Sequence, residues 1–332
     1  SRYERVHLIQ LFFQGRELLP GRCCLGQFHS NCFVLRQISQ KDYPGAEFEK
    51  SDWWYYAEKV RKAKYQLDEA AVSQYLSLDN VRSGMFYLAN RLYGITFRPI
   101  SAPKYHPECS VYEVLDVDDS HLGVLYIDPH PRKSKSGGAW CGYFTEQRYE
   151  DGKRVAPVVG IVCNFTPPVG DTPSLLSFDE AETMFHEFGH ALHFLFADVR
   201  YRGLAEVEGD FVELPSQIME NWAFEPEIMK VYATHHSTGD VIPDNLIEKI
   251  QKASLFNQGF ITTELAAAAL IDMDIHTLEK WSDMDINDFE KYNLATRRGL
   301  IPQIEPRYRY TYFSHIFNGG YSSGYYFYLW AE

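Results

Sequence analysis

The sequence is short of most features that would place it outside the ordinary globular proteins. No apolar run approaches the roughly 20 residues a helix needs to cross a bilayer, so no membrane partner is expected. The first residues lack the charged-then-apolar order of a secretory signal. Cysteine is sparse and scattered, at 23, 24, 32, 109, 141 and 163, and no Cys-x-x-Cys occurs. That spacing argues against a disulfide framework and against thiolate zinc ligation. Reduced, packed thiols are expected, the adjacent Cys23-Cys24 included, which favours a cytoplasmic location. Basic charge is also in deficit: 32 Lys and Arg stand against 45 Asp and Glu, for a net charge of −13. The one basic cluster is Arg132-Lys133-Ser134-Lys135, too small a footprint for nucleic acid. There is no internal repeat and no low-complexity linker.

What the sequence does contain is concentrated at 182–193, which reads Glu-Thr-Met-Phe-His-Glu-Phe-Gly-His-Ala-Leu-His. Upstream, Ser177-Phe178-Asp179-Glu180 has the form of a capping box with Ser177 as N-cap. Phe178, Met184, Phe185, Phe188, Leu192, Leu195 and Phe196 then recur at helical spacing, predicting an amphipathic helix backed by the core. On that helix His186 and His190 are four residues apart and share a face, so both imidazoles can meet one ion. Glu187 is adjacent to the first imidazole and too close to ligate beside it, but it can take a proton from an attacking water. This is the mechanical content of His-Glu-x-x-His: two neutral nitrogens for one Zn2+ and a carboxylate general base.

The rest of the chain sorts around this helix. Residues 1–50 carry little pattern: 8–13 is a strand or a short helix, and Gly15, Pro20, Gly21, Pro44 and Gly45 break up the remainder of the stretch. A helix is expected from Asp52 as N-cap, and another over 79–93 stopped by Gly94. Between 110 and 166 the period becomes that of strands, with candidates at 110–116, 123–128, 139–146 and 158–165. Ser136-Gly137-Gly138-Ala139-Trp140 admits two readings, a plain hairpin turn or a place where an extended peptide backbone approaches a sheet edge. Beyond the His-rich helix, 210–222 is helical. A long helix runs from Pro243 through Ala266–Ala269, another covers 286–298, and the Gly- and Tyr-rich 315–330 closes the sequence.

A catalytic zinc takes three protein ligands and leaves a position open. The extended pattern HExxHxxGxxH fails here, since position 193 is His and 196 is Phe. His193 falls on the same face, but one helix can hardly wrap three side chains around an ion, so it reads as support or packing. The third ligand should be a carboxylate from a later helix, with Glu206, Glu208, Glu213 and Glu220 as candidates.

At this point the sequence resembles a known family. His186-Glu187-Phe188-Gly189-His190-x-x-His193 followed by Asp210-Phe211-Val212-Glu213-x-Pro215-Ser216-Gln217 is similar to the thimet oligopeptidase family of zinc peptidases. Ser136-Gly137-Gly138-Ala139-Trp140 and the terminal His315-Ile316-Phe317-x-Gly319-Gly320-Tyr321-x-x-Gly324-Tyr325-Tyr326-x-Tyr328-Leu329-Trp330 resemble its bacterial peptidyl-dipeptidase branch. The resemblance runs over residues 52–332. It implies a mainly helical, α+β, zincin-like catalytic domain with a small sheet beside the active-site helix, one Zn2+ held by His186, His190 and Glu213, and Glu187 as general base. It further implies that His315, Tyr321 and Tyr328 touch substrate and steady the tetrahedral intermediate. Gly137, Gly138, Ala139 and Tyr325 would line the substrate, a short peptide losing dipeptides from its C-terminus, with internal cleavage as the alternative. Family members are longer, with a helical N-terminal half walling a channel. The chain therefore resembles the catalytic part over 51–332, with 1–50 unassigned and a missing N-terminal half or partner chain completing the channel. A metal- or peptide-binding part without activity is the competing class.

Overall fold

A computed structural model describes residues 21–280 and 283–332. In chain order, helices α1 (Gly21–Asp42), α2 (Trp53–Tyr65), α3 (Glu69–Ser73) and α4 (Leu78–Tyr93) precede seven strands. These are β1 (Thr96–Pro99), β2 (Ser110–Leu115), β3 (His121–Asp128), β4 (Trp140–Thr145), β5 (Arg148–Glu150), β6 (Lys153–Val155) and β7 (Val158–Val162). Then come α5 (Phe178–Leu195), α6 (Leu214–Ala223), α7 (Pro226–Tyr232), α8 (Asp244–Ala253), α9 (Gln258–His276), α10 (Ile286–Lys291), α11 (Ser314–Phe317) and α12 (Phe327–Ala331). The architecture is the expected one, mainly helical with a small mixed sheet. The segment 8–13 and the side chains of Cys23 and Cys24 lie outside the described residues. Cys32, Cys109, Cys141 and Cys163 are free thiols. Among the described residues no helix is long and apolar enough to cross a membrane.

The chain divides into two compact units, one comprising Leu67–Gln251 with the last two residues, the other the described residues up to Gln66 with Lys252–Trp330. The first holds a five-stranded sheet in the order β1-β2-β3-β7-β4. Only β3 and β7 run parallel, and the other neighbours are antiparallel. Interior strand β7 is apolar along its length, with Val159 and Ile161 buried on one face and Gly160 and Val162 on the other, as a strand covered on both faces requires. At the margin β4 exposes Trp140 and Phe144. The sheet supports α5, which packs on β3, β7 and β4 and against α4 and α6.

α5 begins as its sequence demands. Ser177 Oγ accepts the Glu180 N–H at 3.1 Å and Glu180 Oε2 accepts the Ser177 N–H at 2.8 Å, a reciprocal capping box. Met184, Phe185, Phe188 and Leu195 are fully buried, whereas Phe196, expected on the same face, is 39% exposed at the C-cap. α4 ends at Gly94, whose φ of +76° is the left-handed cap predicted for it.

Among its described residues the second unit has two apolar clusters. One joins Leu35, Phe48, Trp53, Tyr56, Val60 and Phe260. The other joins the alanines of α9 to Phe313, Ile316, Tyr325 and Tyr326. The single long helix expected after Pro243 is instead two, α8 and α9. Asn257 sits between them at φ +68°, a left-handed value that Asn tolerates, and Trp53 Nε1 donates to its Oδ1 at 3.1 Å. The helix expected over 286–298 is α10 continued by a π-helical turn at Tyr292–Thr296.

Candidate active site

Two helices deliver the site, and one glycine sets their separation. A Cβ on Gly189 would lie 2.1 Å from the Pro215 carbonyl oxygen and 2.6 Å from Ser216 Cα, so the backbones of α5 and α6 meet at this position. The contact brings Glu213, the N-cap residue of α6, across to the imidazoles of α5. Glu213 Oε2 stands 3.3 Å from His186 Nε2 and 3.3 Å from His190 Nε2. One ligand atom from each of the three lies within 4.8 Å of the others, the spacing of groups that could hold a metal ion.

Two of the three, His186 and Glu213, are steadied from behind. His186 Nδ1 is 2.5 Å from Glu220 Oε1, two helical turns along α6 from Glu213. Ser216 Oγ is 2.8 Å from both Glu213 Oε2 and the Glu213 carbonyl oxygen. Glu220 was among the candidate third ligands, and the structure gives it this supporting place. Glu206 is exposed and accepts the Tyr143 hydroxyl, and Glu208 is exposed ahead of the 3-10 turn Gly209–Phe211. His193 turns away to the loop, its Nε2 3.1 Å from the Ala205 carbonyl oxygen. Glu220 and Ser216 carried no sequence signal for these roles beyond their spacing of seven and three from Glu213.

The electrostatics favour a cation. Burial opposes a charge on His186, but Glu213 and Glu220 outweigh it and push its pKa up to about 10. Glu213 is 1% exposed, yet the two imidazoles override burial and hold its carboxyl well below the usual range. Glu187, 5% exposed, is pushed up by burial, against the pull of His186 and His190. Its Oε2 is buried with no hydrogen-bond partner among the described residues. A buried oxygen of that kind keeps a lone pair for a proton. Two imidazole nitrogens and one carboxylate are a donor set that Zn2+ takes, and Glu187 adds a basic oxygen beside them that does not ligate.

The connection from β3 to β4 is not a hairpin, because β7 lies between the two strands. Gly137 and Gly138 therefore lead into an edge strand, with Gly138 at φ +83° and open space where either Cβ would be. Ala139 is half-buried just before β4. The strand passes beside the site: burial and the neighbouring Glu187 carboxylate together push the Cys141 thiol well up.

In the other unit the C-terminal residues singled out in the sequence form one cluster. His315 lies 5.8 Å from Tyr321, 5.5 Å from Tyr325 and 6.5 Å from Tyr328, ring centre to ring centre. Tyr321 and Tyr328 are parallel, with centres 5.7 Å apart. Tyr325 is buried against Phe313 and is the least accessible of the four. Behind them Asp272 of α9, itself fully buried, accepts the Ser323 and Tyr325 N–H groups at 3.0 and 2.9 Å.

A His-Glu-x-x-His helix crossed by a carboxylate-bearing helix, with a sheet edge alongside, defines a zincin-like metallopeptidase domain. More particularly, the chain belongs to Peptidase family M3, whose family model matches residues 26–332. That match begins inside the stretch 1–50 in which no motif was legible. The chain is 45% identical over 303 residues to a dipeptidyl carboxypeptidase of Salmonella typhimurium, covering 90% of this chain and 44% of that protein. To the dipeptidyl carboxypeptidase of Escherichia coli it is 44% identical over the same share of each. To oligopeptidase A of Escherichia coli it is 34% identical over 306 residues, 90% of this chain and 45% of that protein. The chain thus spans less than half the length of these relatives.

Proposed function

We propose that residues 51–332 form the catalytic part of a zinc peptidase that acts on short peptides and releases dipeptides from their C-termini. The observation that carries the reading is the convergence of His186, His190 and Glu213 within 4.8 Å, with the orphaned carboxylate oxygen of Glu187 on the same helix. His186, His190 and Glu213 would hold one Zn2+, which when bound supplies a Lewis acid and makes an attacking water acidic. Glu187 takes the water's proton and passes it to the leaving amine. Burial raises its carboxyl toward the range in which it can do both. Glu220 fixes the tautomer of His186 by occupying Nδ1, which leaves Nε2 for the ion.

The remaining roles follow the family resemblance. His315, Tyr321 and Tyr328 offer N–H and O–H donors to the tetrahedral intermediate, and Tyr325 contacts substrate. The free margin of β4, entered through Gly137, Gly138 and Ala139, pairs with an extended peptide. Two relatives at 44–45% identity are named dipeptidyl carboxypeptidases, which favours exopeptidase action over the internal cleavage of an oligopeptidase. A missing N-terminal half or a partner chain is expected to complete the substrate channel, and the cytoplasm is the expected location. Cleavage of a quenched fluorescent oligopeptide, with and without chelator, tests the activity. Chelator-sensitive cleavage is the expected result. A zinc-loaded chain that cleaves nothing would favour a metal- or peptide-binding part.

A further inference from the structure

Asp128 ends β3 and is fully buried, yet it belongs to none of the groups placed at the metal site. Arg132 grips both carboxylate oxygens, Nη1 to Oδ1 and Nη2 to Oδ2, each at 2.7 Å, and the Tyr105 hydroxyl donates to Oδ2 at 3.0 Å. Lys135, whose side chain is 6% exposed, brings its Nζ to 3.3 Å from Oδ1. The same ammonium donates to the carbonyl oxygens of Asp128 at 3.2 Å and His130 at 2.8 Å, and to that of Cys163. Next to Cys163, the Asn164 amide donates to the Ser136 and Gly138 carbonyl oxygens, both at 2.7 Å. Burial works against the Asp128 charge, and Arg132, Lys135 and Tyr105 outweigh it.

These contacts close a circuit. Cys163 and Asn164 come directly after β7, the neighbour of β4, so the loop between β3 and β4 is tied to the strand beside the sheet edge. The tied segment has little else to order it. Gly137 and Gly138 have no side chains to pack, and nothing lies within 4 Å of where a Cβ would be. Glycine loses more backbone freedom on ordering than other residues, so a substrate that had to order this loop would bind more weakly by that amount. A loop shaped in advance avoids the loss.

We propose that Asp128, Lys135 and Asn164 are positioning residues that hold 136–140, and with it the free margin of β4, in the shape on which a peptide substrate pairs. The inference rests on the peptidase reading and deepens it, by assigning substrate affinity to a buried clamp remote in sequence from the metal ligands. The alternative is that the clamp only stabilises the fold, so the test must separate the two.

Lys135→Met keeps the stem and removes the ammonium, and Asn164→Ala is the milder second variant should the first fail to fold. In either, hydrogen exchange of the amides of 136–142 should accelerate at least about tenfold while that of α5 is unchanged. Bound zinc should be retained, and KM for an oligopeptide should rise about tenfold with kcat altered less than about threefold. Unchanged exchange in the loop would overturn the clamp. Faster exchange with unchanged KM would overturn its role toward substrate, as would a fall in kcat and bound zinc at constant KM. A parent chain that takes up zinc but neither binds nor cleaves peptide overturns the peptidase reading, and this inference with it. That outcome is recognisable because it appears without any substitution.

Discussion

At the residue scale, Glu187 and Glu213 are both buried carboxylates near the same imidazoles, and their environments part them. Glu213 is held ionised by His186 and His190, as a ligand must be, whereas Glu187 is raised by burial, as a proton carrier must be. Glu187→Gln should therefore retain zinc and lose about a thousandfold in kcat. Glu213→Ala should instead lower zinc affinity by more than about a hundredfold, a larger effect than that of supporting residues. Bound-metal measurement beside kinetics distinguishes the two, and near-normal turnover of Glu187→Gln would sink its assignment. Glu182, one turn before His186, offers a pH signature. Burial, then Glu220 and Asp179, raise its pKa from 4.5 to about 7. A folded-state pKa above the unfolded one means that the protonated form favours folding: the contribution is full below about pH 4.5 and lost as pH rises through 7. With chelator present, Glu182→Gln should stabilise the protein by about 1–3 kcal/mol at pH 8 and by nothing at pH 4. Equal effects in denaturant titrations at both pH values would refute this. The two imidazoles and Glu187 were legible because helical spacing alone places them. The supporting role of Glu220 was not, since its partner His186 is reached only when α5 and α6 cross, and Ser216 takes its role only because Glu213, three residues before it, is the ligand.

At the scale of elements, the crossing of α5 and α6 turns on Gly189. An alanine methyl there would meet the backbone of Pro215 and Ser216, neither of which can rotate aside. Gly189→Ala should cost about 1–3 kcal/mol in denaturant unfolding and weaken zinc binding by moving Glu213 away from the imidazoles. Full stability with full zinc affinity would show that the helices do not need this approach. Strands β2, β3 and β7 were legible close to their true limits because most of their apolar residues are buried in the sheet, while β4 was legible from its apolar residues although Trp140 and Phe144 are exposed. β1 and the β5–β6 hairpin went unread. They are three or four residues long and exposed for much of their length, so burial imposes no alternation on them. The break between α8 and α9 had a signal, Asn257 and then Gly259, but the alanine run beyond it reads as an uninterrupted helix. The break is fixed by the buried hydrogen bond to Trp53, 204 residues away in the chain, which no local pattern contains.

At the scale of the whole molecule, exopeptidase and oligopeptidase action are separated by recognition of a terminal carboxylate. The chain carries a net charge of −13, so a free peptide carboxylate meets an unfavourable field unless specific donors receive it. Five cations lie near the sequence motifs and could serve as such donors, namely Arg132, Lys133, Lys135, Arg307 and Arg309. The structure commits two of them elsewhere, because Arg132 and Lys135 are bound to Asp128. Arg309 is paired with Glu290 and Glu305, and Arg307 stands 3.7 Å from Glu264. Charge-assisted recognition of a carboxylate is worth about 1.5–3 kcal/mol, so its loss should be plain in kinetics. One oligopeptide and its C-terminal amide should differ about 10- to 100-fold in kcat/KM, the free acid being preferred and yielding a dipeptide. Mass analysis of the products beside the rates decides the matter. Equal cleavage of both forms at an internal bond would overturn the exopeptidase assignment and make this an oligopeptidase, with the metal site and the role of Glu187 untouched.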